Sequence, residues 1–324
     1  MIGNVDHWAC DIISGWAADE AHPDEIVSVE LRINGNVACV VSARSYREDL
    51  KQAGFGRGMH GFSVDPRPYL RDASNYLELA IAGTDFLLGA RNLVDMAGHD
   101  LLEISQLRWK GDEPPEGLTW GRPMTGDSFV DIVEGYWPSH NNSRIVEVGP
   151  GYGRLLSTLL DRELPFRTYL GIELSAARVG RLRQLFSDER VRFDTGDINT
   201  HRFPEEADIV ISSATFIHLY PDCSRALDNI RRQISANSLL AIDFIDPTHY
   251  PGRGFDDCTG TYIISYSRDD LRRLFENCGY RVIAMPDYVI GIGTIGEVFG
   301  IIVVARPNSP VPVGTIINDD EALR

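Results

Sequence analysis

A turn with three alternating glycines limits the possible folds of this 324-residue chain more than any other feature. Residues 144–148 (RIVEV) have the composition of a buried strand, and Gly149, Gly151 and Gly153 follow directly. Glycine adopts positive φ without a steric penalty and lets a ligand approach the backbone closely. A helix is predicted from Arg154 onward, and its N-terminus offers unpaired N–H groups. The pattern predicts an α/β fold that binds a ligand at this turn.

The spacing of the glycines separates two classes of cofactor-binding fold. A dinucleotide fingerprint, G-x-G-x-x-G, would place its third glycine at position 154, which is Arg154. The spacing is instead E-x-G-x-G-x-G, from Glu147 to Gly153. It resembles motif I of the class I S-adenosylmethionine-dependent methyltransferases. An NAD-dependent enzyme is the weaker alternative, and a purely structural turn is the other.

Strands and helices alternate after this turn in the order that the family implies. They are predicted at residues 168–172 (strand), 175–186 (helix), 191–193 (strand), 207–211 (strand), 224–234 (helix), 239–245 (strand) and 268–278 (helix). The last two strands, Tyr280–Met285 and Val298–Ala305, form an antiparallel hairpin in the family. The resemblance covers residues 143–307. It implies a Rossmann-like sheet of seven strands whose last strand is antiparallel.

The resemblance also implies S-adenosylmethionine as the cofactor and assigns residues to it. Glu173, at the end of the second strand, would accept hydrogen bonds from both ribose hydroxyls, since a carboxylate has two acceptor oxygens. Asp197 would bind the adenine amino group, and Ile198 would pack on the ring. The cofactor set predicted in this way is Glu147, Gly149, Gly151, Gly153, Glu173, Leu174, Asp197, Ile198, Ser212 and Ser213.

The three acids of this set also have structural interpretations. Glu173 could cap the helix that begins at Ser175 or be a solvated loop acid, and Asp197 could belong to a turn. Glu147 lies in an apolar strand, where a carboxylate is unfavourable unless it is hydrogen-bonded. We expect it to accept backbone N–H groups of the glycine turn and to support the methionine end of the cofactor.

Two histidines are candidates for the base that removes a proton from a hydroxyl acceptor. His218 lies in the segment 212–220, beyond the fourth strand, at the edge of the sheet where ligands of such folds bind. Packing or lining of the cofactor is its alternative role. His249 lies in the segment 246–257, which is rich in Gly, Pro and polar residues, is expected to be a loop and would border the acceptor. The irregular spacing of the His and Asp residues in that segment argues against a metal site.

Residues 1–97 predict a different architecture, a small all-β sandwich. Six or seven short strands are separated by turn signals, of which Asn34-Gly35 is the strongest. The segments that stand out are SGWAAD at 14–19, YREDL at 46–50, GFG at 54–56 and HGF at 60–62. This pattern resembles an accessory module attached to bacterial glycosyltransferases of surface-polysaccharide assembly. The resemblance implies a carbohydrate context, whereas the alternative role of its aromatic residues is packing.

These patterns divide the chain into four parts. We expect a β-sandwich at 1–97, a helical connector at 98–142, a methyltransferase domain at 143–307 and a flexible tail at 308–324. The net charge of −16, from 47 acids against 31 bases, disfavours nucleic acid and anionic membranes as partners.

Cellular location is inferred from the cysteines and from the absence of targeting signals. No apolar run reaches the ~20 residues that span a bilayer, and the N-terminus has no signal-peptide pattern. The five cysteines are scattered and form no CxxC, which disfavours a disulfide framework and a zinc site. The expectation is a cytoplasmic protein with a small-molecule or saccharide acceptor, with a homodimer as one option for its assembly.

Three functions remain open from the sequence. The first is O-methylation of a sugar hydroxyl in a surface glycan or its precursor, for which the acceptor rests on the resemblance of residues 1–97. The second is methylation of a small metabolite, with the sandwich serving for docking or dimerisation. The third is a scaffold that binds S-adenosylmethionine without catalysing methyl transfer.

Overall fold

The computed structural model describes residues 1–94, 96, 99–111, 126–137, 142–248, 250–256, 259–293 and 296–308. The chain divides into two compact units. The first, unit 1, contains residues 1–108 and 255–262, and unit 2 contains the remaining described residues. The predicted tail lies outside the described residues from position 309 onward, as do His249 and Asp257. None of the helices within the described ranges has the length and apolar character needed to span a bilayer.

Unit 1 consists mainly of two antiparallel sheets of four strands each. Its elements are β1 (Ile2–Trp8), β2 (Ile13–Ala18), β3 (Ser28–Ile33), β4 (Asn36–Ser42), β5 (Ser45–Tyr46), α1 (Glu48–Gln52), β6 (Met59–Val64), a 3₁₀ turn (Arg67–Tyr69), β7 (Ser74–Ile81) and β8 (Leu87–Val94). One sheet has the order β1-β2-β6-β5 and the other β4-β3-β7-β8. The sequence predicted six or seven short strands in this region, and the structure has eight.

The two sheets of unit 1 contribute to one apolar cluster. Alternation along β7 places Leu77, Leu79 and Ile81 on its buried face. Ile13 and Phe62, from the other sheet, belong to the same cluster. The core of this unit is therefore built from both sheets.

The turn between β3 and β4 has the predicted geometry. Asn34 and Gly35 both have positive φ, 51° and 81°, as a two-residue hairpin turn of this kind requires. The Asn34 side chain also accepts the backbone N–H of Tyr76 at 2.8 Å, which ties the turn to β7. The hairpin prediction is confirmed.

Aromatic residues of the distinctive N-terminal segments pack on one another. The rings of Trp16 and Phe55 have centroids 5.3 Å apart, and His60 meets the edge of Phe55 at 6.4 Å. His60 is buried, and its Nε2 hydrogen-bonds to the carbonyl of Pro23 at 2.9 Å. These contacts give the three residues a packing role.

The rest of the chain alternates helices and strands. Its elements are α2 (Leu101–Lys110), α3 (Asp127–Glu134), β9 (Arg144–Val148), α4 (Arg154–Asp161), β10 (Thr168–Glu173), α5 (Ala176–Leu185), β11 (Val191–Thr195), β12 (Ala207–Ser212), a 3₁₀ turn (Phe216–His218), α6 (Ser224–Arg231), β13 (Ile234–Ile245), β14 (Arg253–Phe255), β15 (Tyr262–Ile264), α7 (Arg268–Asn277), β16 (Tyr280–Ala284), β17 (Asp287–Gly293) and β18 (Gly296–Pro307).

The main sheet of unit 2 has the order β11-β10-β9-β12-β13-β18-β16, with β17 paired to β18. The first five strands are parallel, and β18 is antiparallel to both β13 and β16. The sheet therefore has eight strands, so the predicted count of seven is wrong. Glycines at 291 and 293 weaken the strand signal of β17, because glycine is depleted in strands. Its pairing with β18, a tertiary contact, makes it a strand.

The central strands of this sheet are buried on both faces. In β12, residues 209–212 are all buried, and successive residues of a strand point to opposite faces. A parallel strand covered on both sides reads as a continuous apolar run, as IVIS does here. The functional residues of such a sheet are therefore expected beyond the strand ends.

The segment after β13 is more regular than predicted. Residues 246–257 were expected to be a loop, but Arg253–Phe255 form β14, which pairs with β15. A strand of three residues that contains a glycine is too short to show a strand pattern in the sequence. Its partner β15 follows β14 closely in the chain, and this pairing orders the segment.

Candidate functional site

The predicted cofactor residues lie at or just beyond the carboxyl ends of parallel strands. Glu147 and the glycine turn belong to β9 and its end, Glu173 ends β10, Asp197 follows β11, and Ser213 follows β12. The strands are parallel and adjacent, so these ends share one edge of the sheet, where ligands of open α/β sheets bind.

The glycine turn is tightly packed at both ends and open in its middle. Gly149 has φ of 69°, and a Cβ there would lie 2.1 Å from Oγ1 of Thr215. Gly153, the N-cap of α4, has φ of 83°, and its Cβ would lie 2.4 Å from the ring of Phe186. A Cβ on Gly151 would meet nothing within 4 Å. The turn thus presents an open stretch of backbone at Gly151.

Glu173 is held beneath this open stretch by two backbone N–H groups. Gly151 donates to its Oε2 and Ser175 to its Oε1, each at 3.1 Å. The side chain is buried, and burial raises the pKa of Glu173, against the lowering effect of these hydrogen bonds and of Arg178. The α5 helix is capped by the hydroxyl of Ser175, which accepts the N–H of Arg178. Glu173 is therefore a buried acid that contacts the glycine turn.

Glu147 has a different partner from the one expected. The hydroxyl of Tyr169, on the neighbouring strand β10, donates to its Oε2. The expectation that Glu147 accepts N–H groups of the glycine turn is wrong, because Gly151 donates to Glu173 instead. Burial raises the pKa of Glu147 to about 7. Through this hydrogen bond, Glu147 connects β9 to the neighbouring strand β10, close to the glycine turn.

Asp197 forms a turn after β11 that is connected to Glu173. Its Oδ1 accepts both the backbone N–H and the side-chain amide of Asn199 at 2.8 Å. Gly196, just before it, donates its N–H to the carbonyl of Glu173 at 3.0 Å. Ile198 belongs to the core cluster. These hydrogen bonds agree with the turn interpretation of Asp197, and the same turn places Asp197 next to the end of β10. Its contact with the cofactor stays a prediction.

Leu174 and Ser212 complete the predicted cofactor set at this edge. Leu174, between Glu173 and Ser175, is half-buried. The Ser212 hydroxyl donates to the carbonyl of Val148 at 2.7 Å, which joins the end of β12 to the start of the glycine turn. Ser212 is buried, so its described role is to connect the two strands.

Ser213 belongs to a buried polar cluster that the sequence analysis missed. Its hydroxyl donates to Oδ2 of Asp243, on β13, and accepts from Arg154 of α4, both at 2.5 Å. Asp243 also accepts the N–H of Ala214 at 2.6 Å and the hydroxyl of Tyr288. Burial raises the pKa of Asp243, while its partners and the charge of Arg154 lower it. A lone acid inside the apolar run LLAIDFI was the available sequence signal.

His218 is buried against Trp109, another residue that the sequence analysis missed. The two ring centroids are 4.2 Å apart, and the ring planes meet at 37°. The backbone N–H of His218 donates to the carbonyl of Thr215 at 3.0 Å, which closes the 3₁₀ turn after β12. The other candidate base, His249, lies outside the described residues. In the described part of the chain, no group of three or more His, Cys, Asp or Glu residues is placed to hold a metal.

A family model of known proteins matches the part of the chain around this site. Residues 146–242 match the family model of a methyltransferase domain. The match runs from β9 to β13 and includes the glycine turn, Glu173 and the segment 212–220. The match supports a methyltransferase domain in this part of the chain, with S-adenosylmethionine as its cofactor. No curated protein sequence matches the chain.

Solved structures resemble this part of the chain at low sequence identity. A S-adenosylmethionine-dependent methyltransferase from Mesorhizobium loti is 14% identical, over 54% of this chain and 96% of that one, with a TM-score of 0.45. The glycopeptide N-methyltransferase MtfA with S-adenosylhomocysteine is 17% identical, over 57% and 91%, with a TM-score of 0.47. The cyclase SpnF is 15% identical, over 65% and 92%, with a TM-score of 0.47. Likeness at this level carries no argument about the reaction of this chain.

Proposed function

We propose that the cofactor is held at the glycine turn by Glu173 and the other predicted cofactor residues, within a domain of residues 143–307. The observation that carries this proposal is the hydrogen bonding of the Glu173 carboxylate. An ionised carboxylate has about four lone-pair sites, and each oxygen of Glu173 uses one of them on a backbone N–H. The backbone N–H of Leu174 also acts on this carboxylate, and the acceptor capacity that remains fits the two neighbouring hydroxyls of a ribose.

The rest of the site fits the same ligand. Bound S-adenosylmethionine would supply a methyl group on a positively charged sulfur. The open backbone at Gly151 leaves room for the ligand, and the close packing of Gly149 against Thr215 fixes the loop after β12 beside the turn. In an in-line displacement, the protein mainly aligns the reacting groups. The glycine turn and the loop after β12, held together at the edge of the sheet, would serve to align those groups.

The acceptor in this proposal is a sugar hydroxyl of a bacterial surface glycan or its precursor. Its support is the resemblance of residues 1–97 to an accessory β-sandwich module of polysaccharide assembly. The two antiparallel sheets of unit 1, with their shared apolar cluster, agree with such a module. His218 is the proposed base, since it follows β12 at the ligand-binding edge.

Calorimetry tests the cofactor site. The full-length protein should bind S-adenosylmethionine and S-adenosylhomocysteine, and NAD should give no heat of binding. Glu173→Ala should weaken binding by about 1.5–3 kcal/mol, the usual contribution of hydrogen bonds to a charged group. Glu189→Ala, at an exposed acid, is the matched control and should leave the affinity unchanged. An unchanged affinity in Glu173→Ala would remove that residue from the site.

Mass spectrometry tests the acceptor. The protein is incubated with S-adenosylmethionine and cell-surface saccharide fractions, and the products are searched for the mass of one added methyl group. A methylated saccharide supports the proposal. Methylation confined to small-metabolite fractions would favour a metabolite acceptor. Cofactor binding without any methylated product in either fraction would favour a scaffold that does not catalyse.

A further inference from the structure

Arg178, the third residue of α5, is an almost completely buried arginine. Its residue surface is 6% exposed, whereas arginines are rarely buried without a partner. Its Nε has no hydrogen-bond partner among the residues that the structure describes. Burying a guanidinium in this way is unfavourable. The buried position of Arg178 therefore needs an explanation, which the partner of its charge can give.

The charge of Arg178 faces Glu173. Nη1 of Arg178 lies 3.6 Å from Oε1 of Glu173, and the two side chains are 7% and 5% exposed. This distance is too long for a hydrogen bond, so the guanidinium acts on the carboxylate by charge and occupies none of its lone pairs. The acceptor sites that remain after the bonds from Gly151 and Ser175 therefore stay available.

Among the groups that the structure describes around Glu173, Arg178 is the one that supplies positive charge. Glu147, on β9, is a second buried acid, and the two acids repel each other where both are ionised. On the neighbouring strand β11, the residue paired with Glu173 is Thr195, whereas Asp194 is paired with Ile172 and so belongs to the opposite face. Asp197 follows the end of that strand. Tyr152 of the glycine turn lies on the other side of Arg178, with its ring centroid 5.6 Å from the guanidinium carbon and 44% of its surface exposed. Burial thus favours the protonated form of Glu173, and the charge of Arg178 opposes it.

We propose that Arg178 is a positioning residue for the cofactor, which keeps Glu173 ionised so that both of its oxygens accept ribose hydroxyls. A protonated Glu173 is neutral, so its hydrogen bonds with the two hydroxyls lose the assistance of a charge and are weaker. Buried ion pairs add little net stability, which agrees with a role in binding. This inference rests on the proposed cofactor site.

The pH dependence of cofactor affinity distinguishes this role from simple packing. Calorimetry with S-adenosylhomocysteine is carried out on the full-length wild type, Arg178→Met and Arg178→Lys, from about pH 5 to about pH 8.5. At the upper end of this range the ionised form of Glu173 is most populated in each protein, and Arg178→Met should bind closest to wild-type strength there. As the pH falls, the affinity of Arg178→Met should drop at a pH about one to three units higher than in the wild type, since a nearby opposite charge shifts a carboxyl pKa by that amount. Arg178→Lys keeps the charge and should follow the wild type.

Two controls accompany this experiment. Glu173→Gln lacks the titrating group, so its affinity should be weak at every pH, and adding Arg178→Met to it should not move the profile. Unfolding of each ligand-free variant, followed at each pH, identifies any loss of affinity that comes from loss of fold.

The outcomes separate this inference from the proposed function. An equal loss of affinity at every pH in Arg178→Met would assign the residue to packing and overturn the inference. Profiles of Arg178→Met and wild type that coincide would overturn it as well, while the binding of S-adenosylhomocysteine by the wild type would leave the proposed function standing. Absence of any binding by the wild type would overturn both.

Discussion

The hydroxyl of Ser213 donates a 2.5 Å hydrogen bond to the carboxylate of Asp243, and both residues are buried. The next residue, Ala214, has φ of 56°, a region that residues other than glycine rarely adopt. Its N–H donates to the same carboxylate at 2.6 Å. Asp243 therefore holds the loop after β12 in a strained conformation at the ligand-binding edge, where strain is often found in functional sites.

Replacing Asp243 tests this role. Asp243→Asn leaves one acceptor oxygen for the three donors Ser213, Ala214 and Tyr288, so at least one buried donor loses its partner. We expect the free energy of unfolding to fall by about 1–3 kcal/mol and the affinity for S-adenosylhomocysteine to weaken. Urea denaturation and calorimetry measure the two effects.

The control for this variant is Asp228→Asn, at an exposed position of α6. It makes the same chemical change without a buried network and should leave both quantities unchanged. An Asp243→Asn protein with wild-type stability and affinity would show that the loop keeps its conformation without the carboxylate.

The buried Glu147 predicts a specific dependence of stability on pH. Its pKa is raised from 4.5 to about 7 in the folded protein, so the folded state binds more protons than the unfolded state between these values. Its contribution to stability is complete below about pH 4.5 and is lost as the pH rises through about 7. Glu147→Gln, which cannot ionise, should remove this loss and be relatively more stable at pH 8, by up to about 3 kcal/mol.

The comparison requires urea denaturation at several pH values for Glu147→Gln and for the exposed control Glu189→Gln. The difference between wild type and Glu147→Gln should grow from pH 5 to pH 8, and the control should follow the wild type. A constant difference at every pH would mean that Glu147 has an ordinary pKa in the folded protein.

The sequence predicted those parts of the site that depend on local pattern. The glycine turn at 149–153, the strands on either side of it and the position of Glu173 at a strand end follow from glycine spacing and apolar runs. The hairpin at Asn34-Gly35 is local in the same sense, because its two residues alone determine the positive φ values. Local conformation of this kind is encoded within a few residues.

The parts that could not be predicted depend on contacts between distant segments. Asp243 and Tyr288 lie 45 positions apart, and Trp109 reaches His218 from more than 100 positions away. The same reason explains the partner of Glu147, which is Tyr169 on the next strand rather than the turn beside it. Strand β17 was missed because its pairing with β18, rather than its composition, makes it a strand.

Residues 255–262 belong to unit 1 although they follow β13 of unit 2, and Gly260 provides a test of this assignment. Gly260 has φ of 63°, and a Cβ there would lie 2.9 Å from the side chains of Ile104 and Val94. Gly260→Ala should destabilise unit 1 by about 1–2 kcal/mol through its φ and by about 1–3 kcal/mol more through this overlap. Hydrogen exchange measures the stability of each unit separately and should show the loss in unit 1. The affinity for S-adenosylhomocysteine should not change.

Gly83→Ala is the matched control for Gly260→Ala. Gly83 also lies in unit 1 and has φ of 73°, but a Cβ there would meet nothing within 4 Å. It should therefore show the effect of φ alone. Equal destabilisation by the two variants would mean that the segment around Gly260 does not pack on Ile104 and Val94.

The contact between His218 and Trp109 leads to the last prediction, which concerns the proposed base. His218→Gln removes a group that can take up a proton and keeps a side chain of similar size under the Trp109 ring. With the saccharide fraction that accepts the methyl group as substrate, we expect the rate at saturating cofactor to fall by roughly 10²–10⁴-fold, the usual effect of removing a general base. The affinity for S-adenosylhomocysteine and the melting temperature should stay at wild-type values, because the loop bonds from Thr215 and Asp243 do not involve the imidazole.

A variant that binds cofactor poorly and recovers its rate at high cofactor concentration would place His218 in the cofactor pocket instead. If the rate falls in His249→Gln but not in His218→Gln, the base belongs to the segment after β13 and the assignment of His218 is wrong.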